Sequence, residues 1–361
     1  MSDVDSAGVP SPNDPRFPIV GAGHVESWFL RANSPDNRQA IWLKATVLAP
    51  KAGDADSTPS ARVWAVLFDN DGSGVTAEHT TIPLSEASFD YQAGVGSVNP
   101  PGASRLTSAL SPVRVTIANC EFEFSGNGSA VGSTQSLTWN IGFDSPDTAL
   151  AAPLSLLPYD RLITMGFPRS KPLTPYPYLR FTGEIVHGDR TVDLTGWYGM
   201  QGHNWGKEHA WEYVWGQSLF VDGTGEPHAM VEAFTARVKV GGRLLPAMSS
   251  MVVRRGDETL RFDGLFDFWR QRTETRDLAW ALRLSGSGGQ AQVIMRARPE
   301  EVACLGYEEP DHSIAYCMNS KLAHVELRVN PRNGDAFTCV SEHGGALELL
   351  SRQPDSRFDV I

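Results

Sequence analysis

The sequence predicts an all-β fold of two successive β-barrel or sandwich domains. Three observations lead there. Short stretches rich in β-branched and aromatic residues recur along most of the chain, Gly, Pro, Asn and Asp clusters separate them, and no long amphipathic helix intervenes. At 361 residues the chain exceeds one ordinary core, and its second half repeats the texture of the first without an exact internal repeat.

Composition narrows the function classes. Hydrophobic content of 41% with 20% charged residues provides for a real core, while no run approaches the ~20 apolar residues that a membrane span needs, so no integral membrane segment is expected. The first residues lack a basic patch followed by an apolar block, which predicts a cytoplasmic protein. A net charge of −11 repels nucleic acid. Cys120, Cys304, Cys317 and Cys339 show neither a C-x-x-C pair nor ligand spacing, so they are expected as free buried thiols, with no metal site. Neither a Gly-x-Ser-x-Gly elbow nor a phosphate loop is found, and no cofactor is expected.

Residues 1–20 are rich in Pro, Ser and Asp and predict a flexible arm or surface strap. An N-terminal β-domain over 21–165 follows. Its first strands are expected at Val25–Leu30, Ile41–Leu48 and Ala61–Phe68, and the last of these is apolar on both faces, as for a strand covered on both sides. Asp69-Asn-Asp-Gly-Ser-Gly74 opens like a calcium loop, but Glu78 is its tenth residue rather than the twelfth, and a hairpin turn is the expectation. Residues 84–112 read as a long loop, either covering a pocket mouth or simply connecting. Strands resume at Arg114–Ala118, Glu121–Phe124 and Gln135–Phe143, the last with Leu137, Trp139, Ile141 and Phe143 on one face.

Gly166 to Tyr178 carries four prolines in 13 residues, so 166–179 is expected to be an irregular linker leading to a C-terminal β-domain over 180–361. There, Arg180–Val186 and Val192–Tyr198 flank a His187-Gly-Asp-Arg190 hairpin. Further strands are expected at Tyr213–Val221, His228–Val240, Ala247–Arg254, Thr259–Asp263, Leu278–Leu284, Gln290–Arg296, Leu322–Val329 and Asp335–Val340.

Gly199 to Gly216 is the stretch that looks like chemistry, with four aromatics, two histidines and two glutamates in 18 residues. Extended, it places His209, Trp211, Tyr213 and Trp215 on one face as an aromatic wall. A helical reading also fits the spacing, but Trp and Tyr are strand-prone. In the next strand Met230, Glu232 and Phe234 share an apolar face. A carboxyl buried there either pairs with a cation such as Lys207 or Arg237, or stays protonated and can donate its proton to an alkene. His203 and Asn204 either satisfy backbone groups at a bend, with Trp205 plugging a barrel end, or orient the acid and a water.

Gly202-His203-Asn204-Trp205-Gly206, entered from a Gly-Asp hairpin and a Gly-Trp-Tyr-Gly strand, resembles the His-Asn-Trp-Gly signature of carotenoid 1,2-hydratases (hydroxyneurosporene synthases). That superfamily also includes AttH-like proteins and fungal Diels-Alderases. The resemblance implies two lipocalin-like (calycin-type) β-domains and an acidic residue about one strand beyond the motif, where Glu232 falls. The expectation is a cofactor-independent enzyme acting on a hydrophobic polyene or isoprenoid. Its catalytic residues are Glu232, His203 and Asn204, and its substrate wall is Trp205, Trp211, Tyr213, Trp215, Met230 and Phe234. Two alternatives stay open: a Diels-Alderase-like cyclase with no essential acid, and a non-catalytic carrier of a hydrophobic ligand.

Overall fold

The computed structural model describes residues 11–17, 22–51, 58–70, 74–91, 112–158, 169–240, 242–264 and 271–361. Thirteen strands form the first sheet. They are β1 (Ala22–Asn33), β2 (Gln39–Lys51), β3 (Ser60–Asp69), β4 (Gly74–Pro83), β5 (Ser88–Tyr91), β6 (Val113–Ile117), β7 (Cys120–Phe124), β8 (Asn127–Ser133), β9 (Leu137–Asp144), β10 (Leu154–Ser155), β11 (Ser170–His187), β12 (Arg190–Asp193) and β13 (Trp197–Gly206). The second half comprises β14 (Glu212–Val221), β15 (Pro227–Arg237), β16 (Lys239–Val240), β17 (Arg243–Leu244), β18 (Met248–Arg255), β19 (Glu258–Phe262), β20 (Arg272–Arg276), β21 (Ala279–Gly286), β22 (Gly289–Arg296), β23 (Ala303–Glu308), β24 (Ile314–Pro331) and β25 (Phe337–Ser351). The first sheet runs β4-β3-β2-β1-β13-β11-β9-β8-β7-β6-β5, and the second β19-β18-β15-β14-β25-β24-β22-β21-β20. The fold is all-β and lipocalin-like, as expected.

Side-chain alternation divides most of the described apolar residues among three large cores. Trp28, Leu43, Val63, Phe122 and Trp139 fill the curl of the first sheet, and Phe220, Val231, Trp280 and Val325 fill that of the second. Phe29, Trp42, Trp64, Tyr198, Trp215 and Leu305 form a third core where the outer faces of the two sheets meet. The two apolar faces of β3 now have their explanation: Val63, Ala65 and Leu67 face inward, and Trp64, Val66 and Phe68 face the junction. Fully burying each such side chain contributes about 1.5–3 kcal/mol, so the junction core welds the halves together.

Three expectations are corrected. From Ser170 onward the proline-rich segment is β11, not a linker, and two register shifts against β13, between Leu173 and Tyr176 and between Tyr176 and Leu179, absorb the prolines that cannot donate to a regular ladder. Because β11, β12 and β13 complete the first sheet, the chain changes sheets between Gly206 and Glu212 rather than near residues 166–180. Finally, residues 11–15 of the expected arm are buried: Asn13 and Gln201 exchange amide hydrogen bonds, and the Trp28 indole donates to the Asn13 carbonyl at 2.9 Å.

Other readings stand closer to the structure. Asp69 pairs with Gly74 across the β3–β4 hairpin, although residues 71–73 lie outside the described residues, as do 92–111 of the expected long loop. Of that loop, Leu84–Glu86 is a single 3₁₀ turn and 88–91 is β5. The four cysteines are buried free thiols.

Candidate active site

A cavity of about 570 Å³ lies at the junction, lined from both sheets. β14 turns Tyr213, Trp215, Gln217 and Leu219 toward the junction, where the first two line the cavity, while Val214 and Phe220 enter the second core. On the neighbouring β15, Met230, Glu232 and Phe234 face the same way, with Gln217 opposite Glu232 and Trp215 opposite Phe234 in register. Strand β14 thereby excludes the helical alternative from Glu212 onward.

Glu232 is 1% exposed and lines the cavity. Its Oε1 accepts from Thr174 Oγ1 at 2.8 Å and from Trp215 Nε1 at 3.1 Å, whereas its Oε2 has no hydrogen-bond partner among the described residues. Desolvation pushes the carboxyl up to about 7, against the opposing pull of those two donors and of Arg254 and Arg31. The cation partners considered from sequence do not serve: Arg237 bonds Glu212, and Lys207 is not among the charges acting on Glu232. At neutral pH the group is poised between acid and carboxylate, as a proton donor that must be recharged requires.

A second polar group forms another part of the wall. Glu348 accepts from Lys321 Nζ at 2.8 Å, from Asn319 Nδ2 at 3.2 Å and from the Tyr213 hydroxyl at 3.2 Å. Burial alone would raise its carboxyl, but Lys321 and Lys44 outweigh that and hold it below the usual range. Burial likewise pushes the Tyr213 phenol well above its ordinary value.

His203 and Trp205 lie on the other face of β13, inside the first sheet. The His203 ring stacks on Trp28 with centroids 4.8 Å apart, and its Nε2 meets Glu26 Oε1 at 2.9 Å. Its Nδ1 lies 2.6 Å from the Pro12 carbonyl, which can only accept, so Nδ1 carries a proton. Glu26 also meets His24 Nε2 at 2.8 Å and accepts from the Arg16 backbone N–H at 2.8 Å. The motif histidine thus ties the N-terminal segment into the first barrel. Gly202 is required beside it, since a Cβ there would come within 2.2 Å of the Phe29 ring.

The structure therefore divides the expected site residues. Glu232, Asn204, Trp211, Tyr213, Trp215 and Phe234 line the cavity, and Met230 belongs to the core beneath it. His203 and Trp205 do not reach it, because alternation along β13 sends odd-numbered residues inward and Asn204 to the junction. Missed from sequence were Thr174, hidden in the proline-rich segment, Lys321, which follows Asn319 and Ser320 in a mixed strand, and Lys44 and Glu348, which stand in apolar runs. A charged residue within an otherwise apolar run was the available signal for the last two.

No protein-family model matches the chain. Two uncharacterised proteins of Mycobacterium tuberculosis, from strains CDC 1551 and H37Rv, are each 24% identical over 316 residues, covering 86% of this chain and 83% of theirs. Among solved structures, CghA with Sch210972 matches over 97% of both chains with a TM-score of 0.59 at 12% identity. An AttH-like protein of Nitrosomonas europaea matches over 95% of this chain and 99% of its own, with a TM-score of 0.53 at 11% identity. Kievitone hydratase from Nectria haematococca matches over 90% and 88%, with a TM-score of 0.51 at 12% identity. These likenesses establish the fold shared over nearly the whole chain.

Proposed function

We propose that the chain is a cofactor-independent enzyme for an apolar polyene or isoprenoid-type molecule, acting by protonation of a carbon–carbon double bond. The observation that carries this reading is Glu232, a buried carboxyl with one unpartnered oxygen on the wall of an aromatic cavity. Protonated Glu232 adds its proton to one alkene carbon and leaves a cation on the other. Trp211, Tyr213 and Trp215 supply aromatic surface on the cavity wall for that cation. Water then adds to the cation and returns a proton to the carboxylate, completing hydration; attack by a second double bond instead closes a ring, and loss of a proton to the carboxylate restores the acid. Thr174 and Trp215 fix the carboxyl, and Asn204 supplies an amide on the cavity wall for the incoming water or a substrate oxygen.

His203 has no part in this scheme, since it is held in the first barrel. The name of kievitone hydratase, among the structural neighbours, agrees with water addition as a chemistry this fold can host. The cavity's enclosure by both sheets favours a second reading, ring closure of a pre-folded substrate without an essential acid.

Mass spectrometry of polyene and isoprenoid candidates in ¹⁸O-labelled water tests the proposal. A labelled adduct is expected with the unmodified protein, and Glu232→Gln should lower turnover by about 10²–10⁴ while keeping ligand binding. Undiminished turnover in that variant removes the acid from the mechanism. An equal-mass product with shifted retention that survives the substitution favours the second reading, and saturable binding without any product leaves a carrier.

A further inference from the structure

Four basic side chains are buried at the junction of an acidic protein. The chain carries a net charge of −11, yet Arg31, Lys44, Arg254 and Lys321 are all buried, and the carboxylates that act on them are Glu232 and Glu348. Three of these cations are answered within the protein. Lys321 pairs with Glu348 at 2.8 Å. Arg31 donates to Asn33, Gln217 and the Gly344 carbonyl, and Arg254 to the carbonyls of Leu150, Ala152 and Pro153.

Lys44 differs. It lines the cavity, and its Nζ lies 4.0 Å from the Tyr307 ring centroid and 5.4 Å from that of Trp42. Among the described residues no carboxylate stands at ion-pair distance from it, and Glu348, the acid that acts on it most strongly, is already engaged by Lys321. Burial pushes the Lys44 ammonium down to about 8, which still leaves it largely charged at neutral pH. A buried cation without a counterion costs several kcal/mol, and aromatic faces return only part of that. A ligand that brings the missing charge completes the site.

We propose that Lys44 docks a carboxylate on the substrate, so that the cavity takes an amphipathic unsaturated acid with its charged end at Lys44 and its double bond at Glu232. The side chains between these ends support that orientation: Lys321 lies 5.4 Å from the Trp42 ring and 5.7 Å from the Trp215 ring, and Trp215 bonds Glu232. The placement of the double bond rests on the acid-catalysis reading, whereas the anion site stands on binding alone. The two also support each other. A carbocation forming beside lysines is disfavoured unless the substrate carries its own negative charge.

Fluorescence titration with cis-parinaric acid and with the corresponding alcohol separates the charge from the polyene chain. The unmodified protein is expected to bind the acid about tenfold more tightly at pH 7, the gain of one charge-assisted contact. Lys44→Met should abolish the preference by weakening the acid alone, and Lys44→Arg should retain most of it. Equal affinity for acid and alcohol in the unmodified protein overturns the proposal whether or not any variant folds. So does a preference that persists in Lys44→Met, or the absence of binding by both probes. Acid preference without turnover of any candidate keeps the anion site and removes the catalytic reading, and turnover without acid preference does the reverse.

Discussion

Glu26 and Glu232 are each 1% exposed, yet burial leads them to opposite states. In the first barrel both Glu26 oxygens are met, by His203, His24 and the Arg16 N–H. Desolvation tends to raise that carboxyl, but the two histidines more than offset it and hold it below the ordinary range. At the junction Glu232 has two donors on one oxygen and none on the other, and desolvation wins. The number and charge of the partners, rather than depth, decide whether a buried glutamate is a structural anion or an acid.

The sharpest way to break this contrast is to remove each carboxyl and measure stability. Glu26→Ala leaves two histidines and the Arg16 N–H facing an empty place, and should cost about 3–5 kcal/mol in urea unfolding. It should also free the N-terminal segment, read as faster tryptic cleavage at Arg16, whose backbone N–H the carboxylate holds. Glu232→Gln should cost far less. Equal losses from the two substitutions would mean that Glu232 is as fully engaged as Glu26, and the contrast would fall.

A smaller effect should come from pH. A carboxyl raised from 4.5 to about 7 contributes stability that is fully present below its unfolded value and is lost as pH rises through the folded one. Relative to the parent, Glu232→Gln should therefore gain about 2–3 kcal/mol between pH 5 and pH 8.5. Glu26 is lowered, so its contribution runs the other way: present above the unfolded value and lost as pH falls through the folded one. A stability difference for Glu232→Gln that is flat with pH would place the Glu232 carboxyl at its ordinary value.

The sequence made one of these glutamates visible and hid the other. Alternation along β15 marks Glu232 as a carboxyl on an apolar face, and its neighbours Trp215 and Phe234 follow from the same period of two. Period also distinguishes His203 from Asn204, but only once the inner side of β13 is known, which depends on β1 and β11 flanking it. Before that, a Gly-His-Asn-Trp-Gly run reads as one functional unit. Glu26 and His24 sit in an ordinary strand, and the Glu26 partner Arg16 belongs to a polar, proline-rich segment that composition assigns to solvent. The first part of β11, residues 170–179, was hidden by the same logic, because bulges that accommodate proline leave no mark in local propensity. Strand β8, Asn127–Ser133, was hidden by its glycines: a Cβ at Gly128 would come within 2.1 Å of the Glu123 carbonyl.

The finest test concerns Thr174, which no pattern in its proline-rich stretch marks out. Its hydroxyl bonds Glu232 Oε1 in both protonation states, but a bond to the ionised form is about twice as strong as one to the neutral acid. The hydroxyl therefore holds the carboxyl down against desolvation, and Thr174→Val should raise it further, by about 0.5–1 unit, in keeping with roughly 1 kcal/mol for the lost bond. For a proton donor the consequence is specific. Turnover falls as pH rises through the value of the acid, so the variant should keep its activity to higher pH, with its basic limb displaced upward by that amount. A threonine that only packed the wall would change rate or affinity without moving the limb. An unmoved limb would show either that Thr174 does not tune the acid or that the limb belongs to another group, and Glu232→Gln, which should abolish the limb if Glu232 titrates there, tells these two apart.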